Sequence, residues 1–356
     1  MFSSVYNQRS VFITGQTGFK GSWLCMWLEY MGAKVTAYAL DPATEPNHFD
    51  LFGMDGNSVI GDIRDYETLA TQMAQCQPEI VFHLAAQASV LYSYDNPLET
   101  FSTNVLGTAN VLEACRNTPS VRAVVVVTTD KCYENKEWLW GYRENDALGG
   151  HDPYSVSKAC AELAVSSYRQ SFLTEGSVLV ATARAGNVIG GGDWTADRLI
   201  PDVMRTTANG ESVIVRNPDS FRPWQHVLEP LSAYLLLGKL LFEGRQDLAQ
   251  AWNFGPSEKD HMDVLTVVKG LQKYWPDVAY EISSETEKPH EAGLLKLDCS
   301  KARHLLGWKP VWGYDTMLAK TAEWYHCFYE SGHLLSKSHL TEYIEDAQNA
   351  NAVWTQ

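Results

Sequence analysis

Tyr154 and Lys158 stand four residues apart, behind Asp152 and Pro153. Aspartate is a favoured helix N-cap and proline is preformed for the first helical position, so a helix is predicted from Pro153 through Ala164. Residues four apart share one face of it. A phenol in water releases its proton near pH ~10. An ammonium fixed beside it favours the phenolate and lowers that value. The pair is then a candidate base near neutrality. A plain helix start with a solvated lysine has the same residues, so the rest of the chain must decide.

A second group of reactive side chains follows Arg122–Val127, the most β-branched run in the chain. Such a run predicts a central strand of a parallel sheet. It ends at Thr128-Thr129-Asp130-Lys131-Cys132-Tyr133. In open parallel sheets the chemistry sits beyond the carboxyl ends of the strands. Thr129, Asp130 and Lys131 are therefore expected on the side where the Tyr154 helix begins.

The elements that would position these groups start at residue 10. Ser10–Thr14 reads as a buried strand, then Gly15-Gln16-Thr17-Gly18-Phe19-Lys20-Gly21, then a helix through Trp23–Leu28, then a strand from Lys34 to Leu40 ending at Asp41. This is a dinucleotide-binding βαβ arrangement. Its glycines let the backbone approach a pyrophosphate placed on the helix N-terminus. Asp41 falls where an acid accepts hydrogen bonds from the adenosine ribose. No Arg or Lys lies between Ala37 and Phe49 to receive a 2′-phosphate, so NAD is favoured over NADP. Asp62, beside Ile63, either meets the adenine or caps a helix. Ile80–Gln87 is an apolar strand running into Leu84, Ala85, Ala86 and Gln87, where a cofactor backbone can pass; His83 is expected to be a hydrogen-bonded core histidine. Leu91–Asp95 either touches a sugar or is a packed loop. A long helix is predicted from about Pro97 to Arg116, carrying Asn104.

Val178–Arg184 is the next strand, and after Trp194 the regular βα alternation stops. Arg198, Arg216 and Arg222 follow. Arginine suits bidentate phosphate contact, so the three either converge on a diphosphate or are separate surface residues. A helix is predicted from Met317 to Tyr329, with a polar, peripheral tail beyond Gly332.

Composition narrows the class. The chain has 356 residues, 45% of them hydrophobic, enough for one large domain or two joined ones. A net charge of -15 argues against nucleic acid or anionic membrane as partner. No apolar run reaches the ~18 residues of a membrane span, and the polar start shows no signal peptide. Seven irregularly spaced cysteines read as reduced thiols in a reducing compartment, the cytoplasm. No His/Cys/Asp/Glu set has metal-ligand spacing.

Taken together, Thr14-Gly15-x-x-Gly18-Phe19-x-Gly21, Thr129, Tyr154-x-x-x-Lys158, Arg184-x-x-Asn187-Val188-x-Gly190 and Leu297-Asp298-x-Ser300-Lys301-Ala302 through Leu306-Gly307-Trp308-x-Pro310 resemble the extended short-chain dehydrogenase/reductase family. Within it, sugar-nucleotide 4,6-dehydratases of the dTDP-glucose type carry Thr-Asp-Glu where this chain has Thr129-Asp130-Lys131. That triplet, with Cys132–Asn135 and Gly190–Trp194, is similar to the 4,6-dehydratase branch acting on CDP-glucose.

The resemblance implies an α/β fold: a Rossmann-type doubly wound parallel sheet over 1–186, with 227–255 returning to it. A smaller mixed α/β C-terminal substrate domain comprises 187–226 and 256–356. It implies NAD at Gly15, Gln16, Thr17, Gly18, Phe19, Lys20, Asp41, Asp62, Ile63, Leu84, Ala85, Ala86, Gln87, Asn104, Thr128, Tyr154 and Lys158. It implies a sugar nucleotide at Ser89, Tyr133, Asn187, Asp193, Trp194, Arg198, Leu199, Arg216 and Arg222. Catalysis falls to Thr129, Asp130, Lys131, Tyr154 and Lys158. In the implied reaction Tyr154, its pKa lowered by Lys158, takes the 4-hydroxyl proton while NAD⁺ takes hydride from C4, and Thr129 holds the same oxygen. The 4-keto group acidifies C5, Asp130 protonates the departing 6-hydroxyl, and the hydride returns to C6. Asp130 needs a raised pKa for this. Lys131 must be neutral to act as the C5 base, or else it steadies the enolate while another group takes the proton. The resemblance further implies a homodimer, or a tetramer, and a place in making 3,6-dideoxyhexose precursors of bacterial surface polysaccharide. Two rivals stand beside it: a nucleotide-sugar 4-epimerase on the same fold, and a non-catalytic NAD-binding sensor.

Overall fold

A computed structural model of the chain describes residues 1–173, 178–283 and 293–356. The apolar runs become strands: β1 (Ser10–Thr14), β2 (Lys34–Ala39), β3 (Asn57–Ile60), β4 (Ile80–His83), β5 (Ala123–Val127), β6 (Leu179–Ala185), β7 (Val188–Ile189), β8 (Ser212–Val215), β9 (Phe221–Arg222), β10 (Gln225–His226), β11 (Ala251–Phe254), β12 (Met262–Asp263) and β13 (Ala279–Ile282). Between them run α1 (Phe19–Tyr30), α2 (His48–Phe52), α3 (Tyr66–Cys76), α4 (Val90–Asp95), α5 (Pro97–Phe101), α6 (Gly107–Arg116), α7 (Pro153–Ser171), α8 (Leu199–Ala208), α9 (Leu228–Phe242), α10 (Val264–Gln272), α11 (Tyr314–Ser331) and α12 (Ser336–Asn349).

Seven strands form one parallel sheet in the order β11-β6-β5-β4-β1-β2-β3. Successive strand residues face opposite sides. Val11 and Ile13 accordingly join one buried cluster with Val125 and α9, while Phe12 joins the other with Val81, Val124 and α6. α9 is apolar on nearly every face because it is enclosed, packing across β4, β5 and β6. β1 has β2 on one side and β4 on the other. The strand order reverses there, which opens a crevice beyond the carboxyl ends. The glycine turn, Leu84–Gln87 and Thr128–Lys131 all emerge at those ends. In the second half, β8 pairs with β13, β9 with β12 and β7 with β10.

Two expectations are corrected. The segment from Pro97 to Arg116 is not one α-helix: α5 and α6 are joined by a π-helical turn over Ser102–Leu106. Such turns concentrate at functional sites, and this one buries Asn104. The tail is not peripheral either. α12 buries His339, Leu340, Tyr343, Ile344 and Ala347, an apolar stripe at helical spacing hidden in a polar stretch. Trp354 is fully buried, stacked on Phe2 at 5.3 Å and on Tyr343 at 5.6 Å, so the two chain ends pack together. His83 is the core histidine expected, bridging Thr14 Oγ1 at 2.7 Å and Thr108 Oγ1 at 3.0 Å, with burial pulling its pKa down to about 3.

Candidate active site

The glycine turn has room for backbone only. Gly15 has φ +87°, and a Cβ there would fall 2.6 Å from the Ala85 nitrogen; one on Gly21 would fall 2.0 Å from the Gly15 carbonyl. α1 starts behind Gly18 without a side-chain cap, so its first N–H groups are left for an anion. Gln16 is buried and its Oε1 has no protein partner among the described residues. Thr17 ties the turn to the end of β2, its hydroxyl donating to the Leu40 carbonyl at 2.9 Å. Asp41 is exposed beside it. Asp62 is gripped by Arg64 at 2.6 Å, a hydrogen bond that holds its carboxyl below the usual range. Ile63 is buried below. These features fit a dinucleotide.

The catalytic candidates converge across the crevice. Asp152 caps α7, accepting from the Ser155 N–H at 2.9 Å. Tyr154 and Lys158 lie one turn apart on the inner face, both buried. Thr129 closes the 3₁₀ turn Asp130–Cys132, accepting from the Lys131 N–H at 3.3 Å and donating to Asp130 Oδ1 at 3.0 Å. The expected lowering of the Tyr154 pKa is not found. Burial pushes the phenol up to about 12, with the Thr129 hydroxyl and Arg198 opposing and Asp130 adding to the rise. Lys158 is itself pulled down to about 8 by burial, with Glu162 opposing. In both groups desolvation outweighs the neighbours that oppose it.

Asp130 meets its expectation. Burial raises its pKa, against the pull of Lys131, Thr129 and Arg222. Its Oδ2 has no partner among the described residues. Gly186 makes that possible, since a Cβ there would sit 2.8 Å from this oxygen and 2.3 Å from Pro223. Lys20, expected at the cofactor, also feels Lys158, Arg198, Asp130 and Asp193, and burial with those cations pulls it down to about 8. Its side chain is only partly buried.

Other expected ligands are spent inside the protein. Tyr133 is buried, donating to Asn253 Oδ1 at 2.7 Å and accepting from Arg184 Nη1 at 2.8 Å, so its hydroxyl holds the fold rather than a sugar. Thr128 gives its hydroxyl to Glu162. Asn104 accepts from the Gln87 N–H at 2.9 Å and donates to the Gln87 carbonyl and Ser157 Oγ, supporting the wall instead of touching a cofactor. Trp194 packs in an aromatic cluster with Trp324, Tyr325 and Phe328, its indole N–H on Tyr329. The three arginines each have protein partners. Arg198 pairs with Asp193 at 2.9 Å and Arg216 with Asp197 at 3.1 Å, while buried Arg222 acts on Asp130. Arg198 and Arg216 are each paired with a nearby carboxylate, and Arg222 Nη1 donates to the Phe221 carbonyl at 2.9 Å. Ser89 caps α4, and half-buried Asn187 and Leu199 flank β7 and open α8.

Sequence reading missed Ser93, whose hydroxyl accepts from the Tyr154 N–H at 3.2 Å, and Glu162. Glu162 follows Lys158 by four residues on the same face, a spacing that was available as a signal. It is almost fully buried against Thr128, Thr182 and Arg184.

Residues 12–321 match the family described as GDP-mannose 4,6 dehydratase. The chain belongs to that family. Among the relatives of this family member, CDP-glucose 4,6-dehydratase of Salmonella typhimurium is 48% identical over 94% of this chain and 96% of its own length. The dTDP-glucose 4,6-dehydratase 1 of Escherichia coli is 29% identical over 74% of this chain and 77% of its own. Solved structures with the same fold include a UDP-glucose-4-epimerase from Stenotrophomonas maltophila with bound NAD (TM-score 0.78, 22% identity, 91% of this chain and 99% of that one). A dTDP-glucose 4,6-dehydratase from Streptomyces venezuelae with NAD bound matches at TM-score 0.73, with 23% identity over 89% of this chain and 96% of that one.

Proposed function

We propose that this family member is an NAD-dependent CDP-glucose 4,6-dehydratase, converting CDP-glucose to CDP-4-keto-6-deoxyglucose and water. One observation carries the reading beyond the family: Asp130 is a buried carboxyl, held toward its protonated form, with an oxygen left unpaired beside Thr129 and Tyr154. A 4-epimerase has no use for such an acid. The near full-length likeness to the Salmonella typhimurium CDP-glucose enzyme supports the nucleotide.

The glycine turn and the first N–H groups of α1 would hold NAD⁺, which would supply the oxidant at C4 and the reductant at C6 and whose positive charge would favour the Tyr154 phenolate. Tyr154 removes the 4-hydroxyl proton, and the Thr129 hydroxyl positions that oxygen. Asp130 gives its proton to the 6-hydroxyl as the C6–O bond breaks, and water leaves. The electrons come from the C5–H bond, whose proton is acidified by the 4-keto group. Lys131, half-buried at the turn, either takes that proton as a neutral amine or steadies the enolate as a cation. Lys131→Glu distinguishes it from the carboxylate of the dTDP type: elimination slows while C4 oxidation survives, and reduced cofactor accumulates at 340 nm. Loss of C4 oxidation with intact elimination from a 4-keto substrate would overturn this division of labour.

The reading extends to assembly. Leu98, Leu106 and Leu163 are 85%, 61% and 58% exposed on the neighbouring segments α5, the π turn and α7, and we assign this face to a homodimer. No helix among the described residues is long and apolar enough to cross a membrane, and we place the enzyme in the cytoplasm. The decisive experiment incubates the purified protein with CDP-, dTDP-, UDP- and GDP-glucose and follows the alkali absorbance of a 4-keto sugar. Turnover of the CDP substrate is expected. A product that keeps its 6-hydroxyl would make the enzyme an epimerase.

A further inference from the structure

The turn that carries Thr129, Asp130 and Lys131 has little to hold it from within. Its own side-chain bonds are those of Thr129 to Asp130 at 3.0 Å and from the Lys131 N–H at 3.3 Å. Its two ends, however, are both tied to one buried ion pair. At the entry, Thr128 donates its hydroxyl to Glu162. At the exit, Tyr133 accepts from Arg184 Nη1 at 2.8 Å. Glu162 and Arg184 meet at 2.8 Å, with 2% and 3% of their side chains exposed. Thr182 also donates to Glu162, at 2.7 Å, and Arg184 reaches the Glu144 carbonyl at 3.2 Å. Tyr133 passes the tie on to Asn253 of β11. One ion pair therefore joins α7, β5, β6 and β11 directly behind the reacting groups.

Buried ion pairs are a weak source of stability, because desolvating two charges offsets most of their attraction. A pair so fully buried and so placed calls for another reason. We propose that Glu162 and Arg184 are positioning residues that grip the two ends of the turn 128–133, so that Asp130 and Lys131 stay against the C5–C6 edge of the sugar. The proposal rests on the dehydratase reading for the identity of that sugar edge, but the grip itself does not. Oxidation at C4 takes Tyr154 and Lys158 from α7 and only Thr129 from the turn, so it needs the grip less than elimination does. Glu162 has a second effect, through charge. Burial alone would raise its pKa, but Arg184 and the two threonine hydroxyls hold it below its usual range. The resulting carboxylate opposes the loss of the Lys158 cation.

Two substitutions separate these effects. Tyr133→Phe releases the exit of the turn, while the ring can keep its stacking on Tyr142 at 5.2 Å. In the protein without substrate, hydrogen exchange of amides 129–133 should rise about 10-fold while α7 stays protected. With CDP-glucose, product formation should fall about 10- to 100-fold, as misplacement of reacting groups predicts, and reduced cofactor should build up because C4 oxidation continues. Glu162→Gln keeps the shape and removes the charge. Burial pulls the Lys158 pKa down to about 8, and the alkaline limb of C4 oxidation set by loss of that proton should then move to lower pH; a purely structural role would leave the limb in place. Unchanged exchange in Tyr133→Phe, equal loss of both half-reactions, or an unmoved limb in folded Glu162→Gln would each overturn the proposal. If wild-type protein makes no 4-keto sugar from any nucleotide hexose, the dehydratase reading fails, and the exchange measurement still decides the grip.

Discussion

Asp130, the proposed acid, carries a cost in stability. Its folded-state pKa lies above the unfolded value because burial disfavours the carboxylate. A carboxyl shifted that way costs stability above its unfolded pKa, and the cost disappears below it, where both states are protonated. Asp130→Asn should therefore raise Tm at pH 7 in thermal denaturation. The gain should fade below pH ~4, and 4-keto product should be lost at every pH. A Tm lowered at pH 7 would mean that the ionised carboxylate is a structural partner. At this scale the sequence told much. Tyr154, Lys158, Thr129 and Asp130 were legible because strand ends and helix spacing dictate where they must lie. Tyr133, Thr128 and Asn104 were not, because an inward-facing hydroxyl or amide is claimed by partners far along the chain, such as Asn253 for Tyr133. The Tyr154 pKa was misjudged because a motif gives neighbours but not burial.

The elements were readable where periodicity was strong. The glycine turn between β1 and α1 and the valine run of β5 are cases in which local pattern and fold agree. The π turn at Ser102–Leu106 left no mark in composition, since one inserted residue in a helical run changes only the phase of its faces. The C-terminal helix was missed because its buried stripe is narrow and its mean polarity high. It carries real load: α12 packs on α1, and Ser336 Oγ bonds both His48 and Trp324, at 2.7 Å and 2.9 Å. Trp354→Ala should cost roughly 3–5 kcal/mol, as truncation of a buried tryptophan does, seen as a lowered denaturation midpoint. A loss under 1 kcal/mol would return the tail to the periphery.

For the whole molecule, the exposed leucines of α5, the π turn and α7 make the assembly testable. Leu163→Asp should convert a dimer to a monomer in sedimentation without lowering the monomer's Tm. An unchanged sedimentation coefficient, whether monomer or dimer, would remove this face as the interface. The strand order has a further consequence, for synthesis on the ribosome. β11 enters the sheet beside β6 only after α9 has been made, and α9 covers the face of β4, β5 and β6. A nascent chain that ends near Gly192 exposes a bare strand edge and an apolar sheet surface, both invitations to aggregate. Splitting the gene at that point should yield an insoluble first fragment, rescued only when the second is made alongside it.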